Sequence, residues 1–387
     1  MKKCIVIPTY WGPMDGTEEI VFDHPTPLNS DGTLWRLLEN LSNFKEVRSG
    51  DVKVCVVGVA NRNDLREKVE KKLEECVGRF KRFMDVKLYS YSWIRNIKSF
   101  LADKGLNNFD LFEPRSYPQV RNLCLLAALE MGVNIAIFLD DDELITTTDF
   151  FERAEFGMFE KGPDEGIVHG KAGYYVQDRP SYRRFWELKW WPKDLSFNRA
   201  FERLRNSTTR LTSTLIGLGG LMIIGRELMR NVCFDKNITR GEDMDYIFNA
   251  RLFGYRFYFD KELCIEHVPP ESKTPEWRKA RQDILRFLYI RSKYRSHLRC
   301  DKVQKIAFEE LLPYPGIFMQ EDLEDRILEY CKMMAMKYLI DGNVEGFDGC
   351  MENAKIPFTR VNDLDVLEEY LHQVATWRKA TAALLEG

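Results

Sequence analysis

Apolar residues along this chain fall into two rhythms, and the change comes near residue 272. Short apolar runs at residues 4–8, 52–59 and 135–139, with a further candidate at 86–91, have the length and β-branched content of buried strands. Helical spacing lies between them. Leu34, Leu37, Leu38 and Leu41 share one face of a helix over 34–44. Leu65, Val69, Leu73 and Val77 form the stripe of a charged amphipathic helix over 64–83. Residues 118–131 read as another helix, ended by Gly132. This alternation predicts an α/β fold with a mainly parallel sheet and helices on both faces. Shorter strand-like pieces at 166–168, 174–176, 221–224, 256–259 and 263–265, separated by long polar and aromatic loops, predict that the sheet becomes mixed. Pro269, Pro270 and Pro275 then punctuate the chain. Beyond them the pattern is almost wholly helical, at 276–298, 302–312, 320–340, 344–354 and 364–385. Two parts are therefore expected: a sheet domain over 1–272 and a helical domain over 273–387.

Composition narrows the classes of function. The 387 residues are 44% hydrophobic and 13% aromatic, enough for a sizeable core. A net charge of −3 predicts no global attraction to nucleic acid or to an anionic membrane. The nine cysteines are odd in number and include no C-x-x-C pair, which argues for a reducing compartment and against a disulfide scaffold or a cysteine zinc site. The apolar part of the N-terminus is too short for a signal peptide and reads as a first strand. Residues 215–225 are glycine-rich and far short of a membrane span. A soluble, cytoplasmic protein without a transmembrane segment is expected.

Candidate chemistry concentrates just after the strands, where ligands bind on such sheets. The fourth strand runs directly into Asp140, Asp141, Asp142 and Glu143. Adjacent like charges raise each other's pKa, and a bound cation relieves them. On extended backbone Asp140 and Asp142 share a face while Asp141 points away. Two converging carboxylates suit a divalent ion that also grips a diphosphate; the competing reading is an acidic loop after a buried strand. Pro8, Thr9 and Tyr10 close the first strand, either as a strand exit or as a contact for a base or ribose. Arg121, near a helix N-terminus, opposes the helix dipole unless it meets a phosphate or a carboxylate. Glu242, Asp243 and Asp245 open a helical stretch at 247–252, where acids also suit the dipole without any chemistry. His267 stands at a strand exit as either a structural or a metal-binding histidine.

Taken in order, Pro8-Thr9-Tyr10, Arg121-Asn122, Asp140-x-Asp142, Gly219-Gly220, Gly241-Glu242-Asp243-x-Asp245 and His267 resemble the family 2 glycosyltransferases and their relatives with the A-type fold, over about residues 3–270. The Asp-x-Asp and Glu-Asp elements are the most specific parts. The resemblance implies a GT-A-type, Rossmann-like α/β domain, a nucleotide-diphosphate sugar as donor, a divalent metal (Mn2+ or Mg2+) and an acceptor hydroxyl. Carried over by position, it implies Asp142 and His267 as metal ligands. Pro8, Thr9 and Tyr10 would contact the base, Arg121 the diphosphate or sugar, and Asp140, with Asp141 beside it, the ribose or base edge. Asp243 would be the general base and Glu242 would help orient the acceptor. The implied enzyme is a metal-dependent hexosyltransferase, and the Glu242-Asp243 pair favours inversion. The rivals are a retaining synthase of a compatible-solute-like acceptor and a non-catalytic nucleotide- or sugar-binding module. A nucleotidyltransferase would want a glycine-rich basic loop after the first strand, which residues 11–29 lack.

Three features depart from that pattern. A long loop follows Trp11-Gly12-Pro13. Residues 183–193 are dense in tryptophan and cations, as either an acceptor lid or a packing surface for the helical part. The C-terminal helices are an addition. Among them, a helix over 279–299 carries Arg281, Arg286, Arg291, Lys293, Arg295 and Arg299 around Ile284, Leu285, Leu288 and Tyr289. It suits a membrane surface, a phosphorylated acceptor, an oligomer contact, or a docked helix with a solvated face.

Overall fold

A computed structural model describes residues 1–13, 22, 25–176, 189–270, 274–359 and 366–386. Its strands are β1 (Lys3–Gly12), β2 (Thr26–Pro27), β3 (Val52–Ala60), β4 (Val86–Tyr89), β5 (Ile135–Phe138), β6 (Glu143–Leu144), β7 (Val168–Tyr175), β8 (Leu211–Thr214), β9 (Met222–Gly225) and β10 (Arg256–His267). The helices that matter below are α1 (Gly32–Leu41), α2 (Arg66–Gly78), α3 (Tyr91–Asp103), α4 (Tyr117–Glu130), α5 (Lys193–Arg205), α6 (Glu242–Leu252), α7 (Glu276–Arg299), α8 (Leu323–Ile340), α9 (Val344–Thr359) and α10 (Val366–Glu386).

The strands form one mixed sheet in the order β4-β3-β1-β5-β9-β7-β10-β6, with β2 beside β1 and β8 beside β10. β4, β3, β1 and β5 run parallel, so their carboxyl ends open on one edge. β9 is antiparallel to β5, with Phe138 opposite Met222, so Gly219 and Gly220 enter the sheet beside the exit of β5. β6 is antiparallel to β10, with His267 opposite Glu143. These pairings gather the ends of β1, β5 and β10 at one place.

Alternation along the strands fills both faces. Ile5, Ile7, Val54, Val56, Ile135 and Ile137 pack with Leu34, Leu37 and Leu38 of α1 and with Val69 and Leu73 of α2. Cys4, Val6, Cys55, Val57, Ala136 and Phe138 face α4. Pro118 to Leu129 of α4 are all buried, as expected of a helix enclosed on every side. Its outer side is covered by the chain's C-terminal end: Tyr370, Val374 and Trp377 of α10 belong to the same core. The Trp377 indole is fully buried and donates to Met229 O at 2.9 Å. Trp377→Ala is expected to cost about 3–5 kcal/mol in urea unfolding, the usual range for a buried large aromatic; a change near zero would show that α10 does not stabilise the sheet.

The polar face expected on α7 is partly turned inward. Lys293 is fully buried, with Nζ 2.7 Å from carboxylate oxygens of both Asp235 and Asp245. Arg291 is buried and donates to Glu324 Oε2 at 2.8 Å, and Arg286 lies 3.1 Å from Asp283. Buried charges persist only when paired, so these ion pairs fix how α7 docks. Arg295 stays exposed and pairs with Glu321 at 2.7 Å. Among the described residues no helix is long and apolar enough to cross a membrane.

Several elements differ from the apolar pattern. The pieces at 256–259 and 263–265 are one strand, β10, whose register with β7 shifts between Phe259 and Cys264. The polar gap contains Asp260, which is fully buried and lies 2.9 Å from Lys171 Nζ and 3.0 Å from Arg210 Nε. Paired charge thus sits where apolar side chains usually do. The pieces at 166–168 and 174–176 likewise overlap the two ends of one continuous strand, β7. Helix α3 was not anticipated: its buried Ile94, Ile97 and Leu101 are diluted by Arg95 and Lys98. Residues 302–312, expected to be helical, are irregular apart from a 3₁₀ turn at Phe308–Leu311.

Candidate active site

The ends of β1, β5 and β10 meet the N-terminus of α6 around a cleft of about 700 Å³. Its lining includes Pro8, Tyr10, Arg121, Asp140, Asp141, Asp142, Glu242, Asp243 and His267. A hollow of about 850 Å³ beside Trp35 and Phe83 gathers no comparable set of acids.

The acidic run after β5 divides its members. Asp140 lies with Oδ1 2.8 Å from Arg121 Nη2, and burial raises its carboxyl's pKa although Arg121 opposes the shift. Asp141 also lines the cleft instead of pointing away; its Oδ2 accepts from the Thr9 hydroxyl at 2.6 Å. Burial pushes the Asp141 carboxyl up to about 7. Asp142 Oδ2 faces His267 Nε2 at 3.5 Å. That approach follows from the β6–β10 pairing, extended by Val268 N donating to Asp142 O at 2.9 Å. Arg36 of α1 braces the same strand end by donating to Val268 O at 2.8 Å. The His267 ring packs on Tyr175, with centroids 4.6 Å apart. Glu143 turns away from the cleft. It is fully buried, its Oε2 accepts from Asp140 N at 2.8 Å, and it is hydrogen-bonded to Tyr175.

At β1 the expected nucleotide contacts separate. Pro8 and Tyr10 line the cleft, but Thr9 is fully buried; besides its bond to Asp141 it accepts from Trp11 Nε1 at 3.0 Å. Thr9 therefore orients Asp141 instead of facing a base. The Tyr10 ring packs on Phe22 at 4.4 Å and Tyr117 at 5.2 Å, and its hydroxyl is buried without a hydrogen-bond partner. Arg121 is 3% exposed and bridges two of the acid groups, with Nε 3.5 Å from Glu242 Oε1 as well as its contact to Asp140. Carboxylates thus balance the cation near the N-terminus of α4. Its Nη1 is buried and has no hydrogen-bond partner.

The second acidic group opens α6 behind Gly241, whose φ of 69° favours glycine. Asp243 accepts two backbone bonds, from Gly219 N to Oδ2 at 2.9 Å and from Met244 N to Oδ1 at 2.8 Å. These fix the carboxylate while burial raises its pKa. Burial and then Asp243 push Glu242 up to about 7. Asp245, the third acid, lies outside the cleft and serves the Lys293 ion pair.

Gly219 and Gly220 have a steric reason to be glycine. A Cβ on Gly220 would fall 1.7 Å from Glu143 Oε1, and one on Gly219 would fall 2.8 Å from Arg121 Nη2. Gly220→Ala is expected to cost about 1–3 kcal/mol by crowding a packed site, read by urea unfolding. Wild-type stability in that variant would contradict the close approach.

Sequence reasoning gave several lining residues no individual role. Thr33, Tyr117, Lys193, Arg240, Arg286 and Tyr314 also face the cleft. Arg286 lies within a basic helix whose inward side the sequence does not mark, and Tyr314 lies in the connection between the helices expected at 302–312 and 320–340. Of the tryptophan-rich segment, residues 183–188 lie outside the described residues. Trp191 is buried against the helical part, stacked on Tyr330 at 5.2 Å and packed on Phe318 at 4.8 Å, so it serves packing and not a lid.

No family model and no curated protein matches the chain. Among solved structures it is similar to a mannosyltransferase from Pyrobaculum calidifontis in complex with GDP-Man and Mn2+. That match has 14% identity and a TM-score of 0.46, over 99% of this chain and 85% of the other. A mycobacterial protein matches at 14% identity and TM-score 0.35, over 77% of this chain and 73% of that one. Glucosyl-3-phosphoglycerate synthase from Mycobacterium tuberculosis, in complex with Mg2+ and UDP, matches at 13% identity and TM-score 0.32, over 70% and 72%.

Proposed function

We propose that this chain is a metal-dependent glycosyltransferase that moves a sugar from a nucleotide-diphosphate sugar to an acceptor hydroxyl with inversion. The observation that carries the reading is the meeting, in one cleft, of the Asp142–His267 pair with a carboxylate held by two backbone amides on Asp243. The first suits a diphosphate-borne cation; the second suits proton removal.

One carboxylate oxygen and one imidazole nitrogen form a donor set that fits manganese or magnesium. Among the described residues no group of three or more His, Cys, Asp or Glu side chains is arranged to hold a metal. The pair therefore fits an ion that takes its remaining ligands from a diphosphate and water. When bound, a divalent ion there neutralises charge on the departing nucleoside diphosphate.

The chain's own groups do the rest. Tyr10 and Tyr117 offer ring faces for the donor's base, and Asp140 stands at the ribose side. Arg121 has a spare donor for a donor oxygen. Asp243 takes the proton from the acceptor hydroxyl as the new glycosidic bond forms on the opposite face of the sugar. The backbone bonds from Gly219 and Met244 keep that carboxylate from rotating away, and Glu242, with its pKa near 7, is placed to hold the acceptor.

The reading is tested by a panel of nucleotide sugars with Mn2+, followed by thermal unfolding. A cognate donor at about 100 times its Kd adds about 2.7 kcal/mol to stability, and the rise should vanish with chelator. No metal-dependent rise with any nucleotide sugar would contradict the reading.

A further inference from the structure

The two sides of the cleft carry different charge. Asp140, Asp141, Asp142 and His267 come from the sheet edge. Lys193 from α5, Arg240 from the loop before α6, Arg286 from α7 and Tyr314 beyond it line the other side. The cations there are built around a buried carboxylate. Asp283 Oδ2 lies 2.6 Å from Lys193 Nζ, and its Oδ1 lies 3.1 Å from Arg286 Nη2. Burial pushes the Asp283 carboxyl up, yet Lys193, Arg286 and Arg240 together hold it well below the usual carboxylate range. Asp194 and Asp243 are the other acids on this side, while Glu242 faces Arg121.

Arg286 carries the strongest sign of a missing ligand. It is 5% exposed, lines the cleft, and its Nε is buried with no hydrogen-bond partner. Nη2 donates to the Tyr314 oxygen at 2.7 Å, which leaves the Tyr314 hydroxyl proton for a further acceptor. Gly241 makes room for the guanidinium, since a Cβ there would fall 2.3 Å from Nη1. An unused donor on a buried cation is costly, and an oxyanion is its natural partner, because guanidinium donors match phosphate and carboxylate oxygens. The guanidinium packs on Gly241, two residues before Asp243, and both line the cleft, so an anion held by it lies on the Asp243 side.

We propose that Arg286, with Lys193, Arg240 and Tyr314, binds a phosphate group on the acceptor and thereby sets its hydroxyl beside Asp243. The inference rests on the glycosyltransferase reading and narrows its acceptor to an anionic one.

The test is calorimetric titration of inorganic phosphate into the full chain carrying saturating Mn2+ and UDP or GDP. One phosphate site should persist with nucleotide bound and weaken at least about tenfold in Arg286→Gln and in Lys193→Met, a loss of about 1.4 kcal/mol. If buried Arg286 does not tolerate replacement, Lys193→Met, which alters a partly exposed side chain, decides alone. Phosphate that is displaced by the nucleotide, or that binds Lys193→Met as it binds wild type, overturns the inference. A protein that binds phosphate but no nucleotide sugar contradicts the transferase reading and leaves the anion site standing; the opposite pattern contradicts the anion site only. Glycerol 3-phosphate binding identifies a soluble acceptor. Binding confined to phosphatidylcholine vesicles that contain phosphatidic acid identifies a lipid-borne one, and binding to neither overturns the assignment.

Discussion

Asp142→Ala should lower metal-dependent transfer by roughly a thousandfold, about 4 kcal/mol of transition-state stabilisation, while the protein stays folded. The size follows from the small ligand set. In the proposed site His267 Nε2 lies 3.5 Å from Asp142 Oδ2, and losing Asp142 would leave His267 alone to hold the ion. Neighbouring acids do not replace it readily: Asp141 is bonded to Thr9, Asp140 faces Arg121, and Glu143 is buried beneath. The fold should tolerate the change, because it removes one member of a self-repelling group and creates no buried orphan. Turnover and thermal unfolding measured on one preparation decide the matter. Unchanged turnover at saturating Mn2+ would remove Asp142 from the metal site.

Asp243→Asn should lower kcat by about 10²–10⁴-fold and leave nucleotide affinity near wild type. The amide preserves shape but cannot take a proton, and one of its two ends can no longer accept the bond from Gly219 or Met244. The pH profile adds a second readout. Burial holds the Asp243 pKa above the ordinary carboxylate value, so the ionised base is lost on acidification at a higher pH than for an exposed aspartate. Wild-type kcat should therefore fall as pH drops through that raised pKa, and the residual rate of Asp243→Asn should lack that limb. A variant with wild-type kcat, or with the same acid limb, would assign the proton transfer elsewhere.

Much of this site was legible in sequence because it sits where strands end. The runs at 4–8 and 135–139 marked β1 and β5, and their exits supply Tyr10 and Asp140 to Asp142. Spacing could not tell which acids face the cleft. Asp141 joins it because the chain leaves extended geometry after Phe138, and Asp245 leaves it because a buried lysine on α7 claims it. Thr9 looked like a ligand contact and instead supports Asp141. The larger gap concerns the helical part. Local periodicity finds α7, α8 and α10, but only long-range packing turns Arg286 and Tyr314 into the cleft and α10 onto α4. Helix α3 and the continuity of β10 are hidden because charged residues interrupt the apolar pattern, and in β10 the buried Asp260 is answered by Lys171 and Arg210, distant in sequence.

Asp142 and His267 are proposed to form a metal site completed by a diphosphate. Titration of Mn2+ into the protein, with and without UDP or GDP, decides this. One Mn2+ site should tighten at least about tenfold, a coupling of about 1.4 kcal/mol, when the nucleotide is present, and both the site and the coupling should disappear in Asp142→Ala. Identical manganese isotherms for wild type and Asp142→Ala, with nucleotide present, would contradict it.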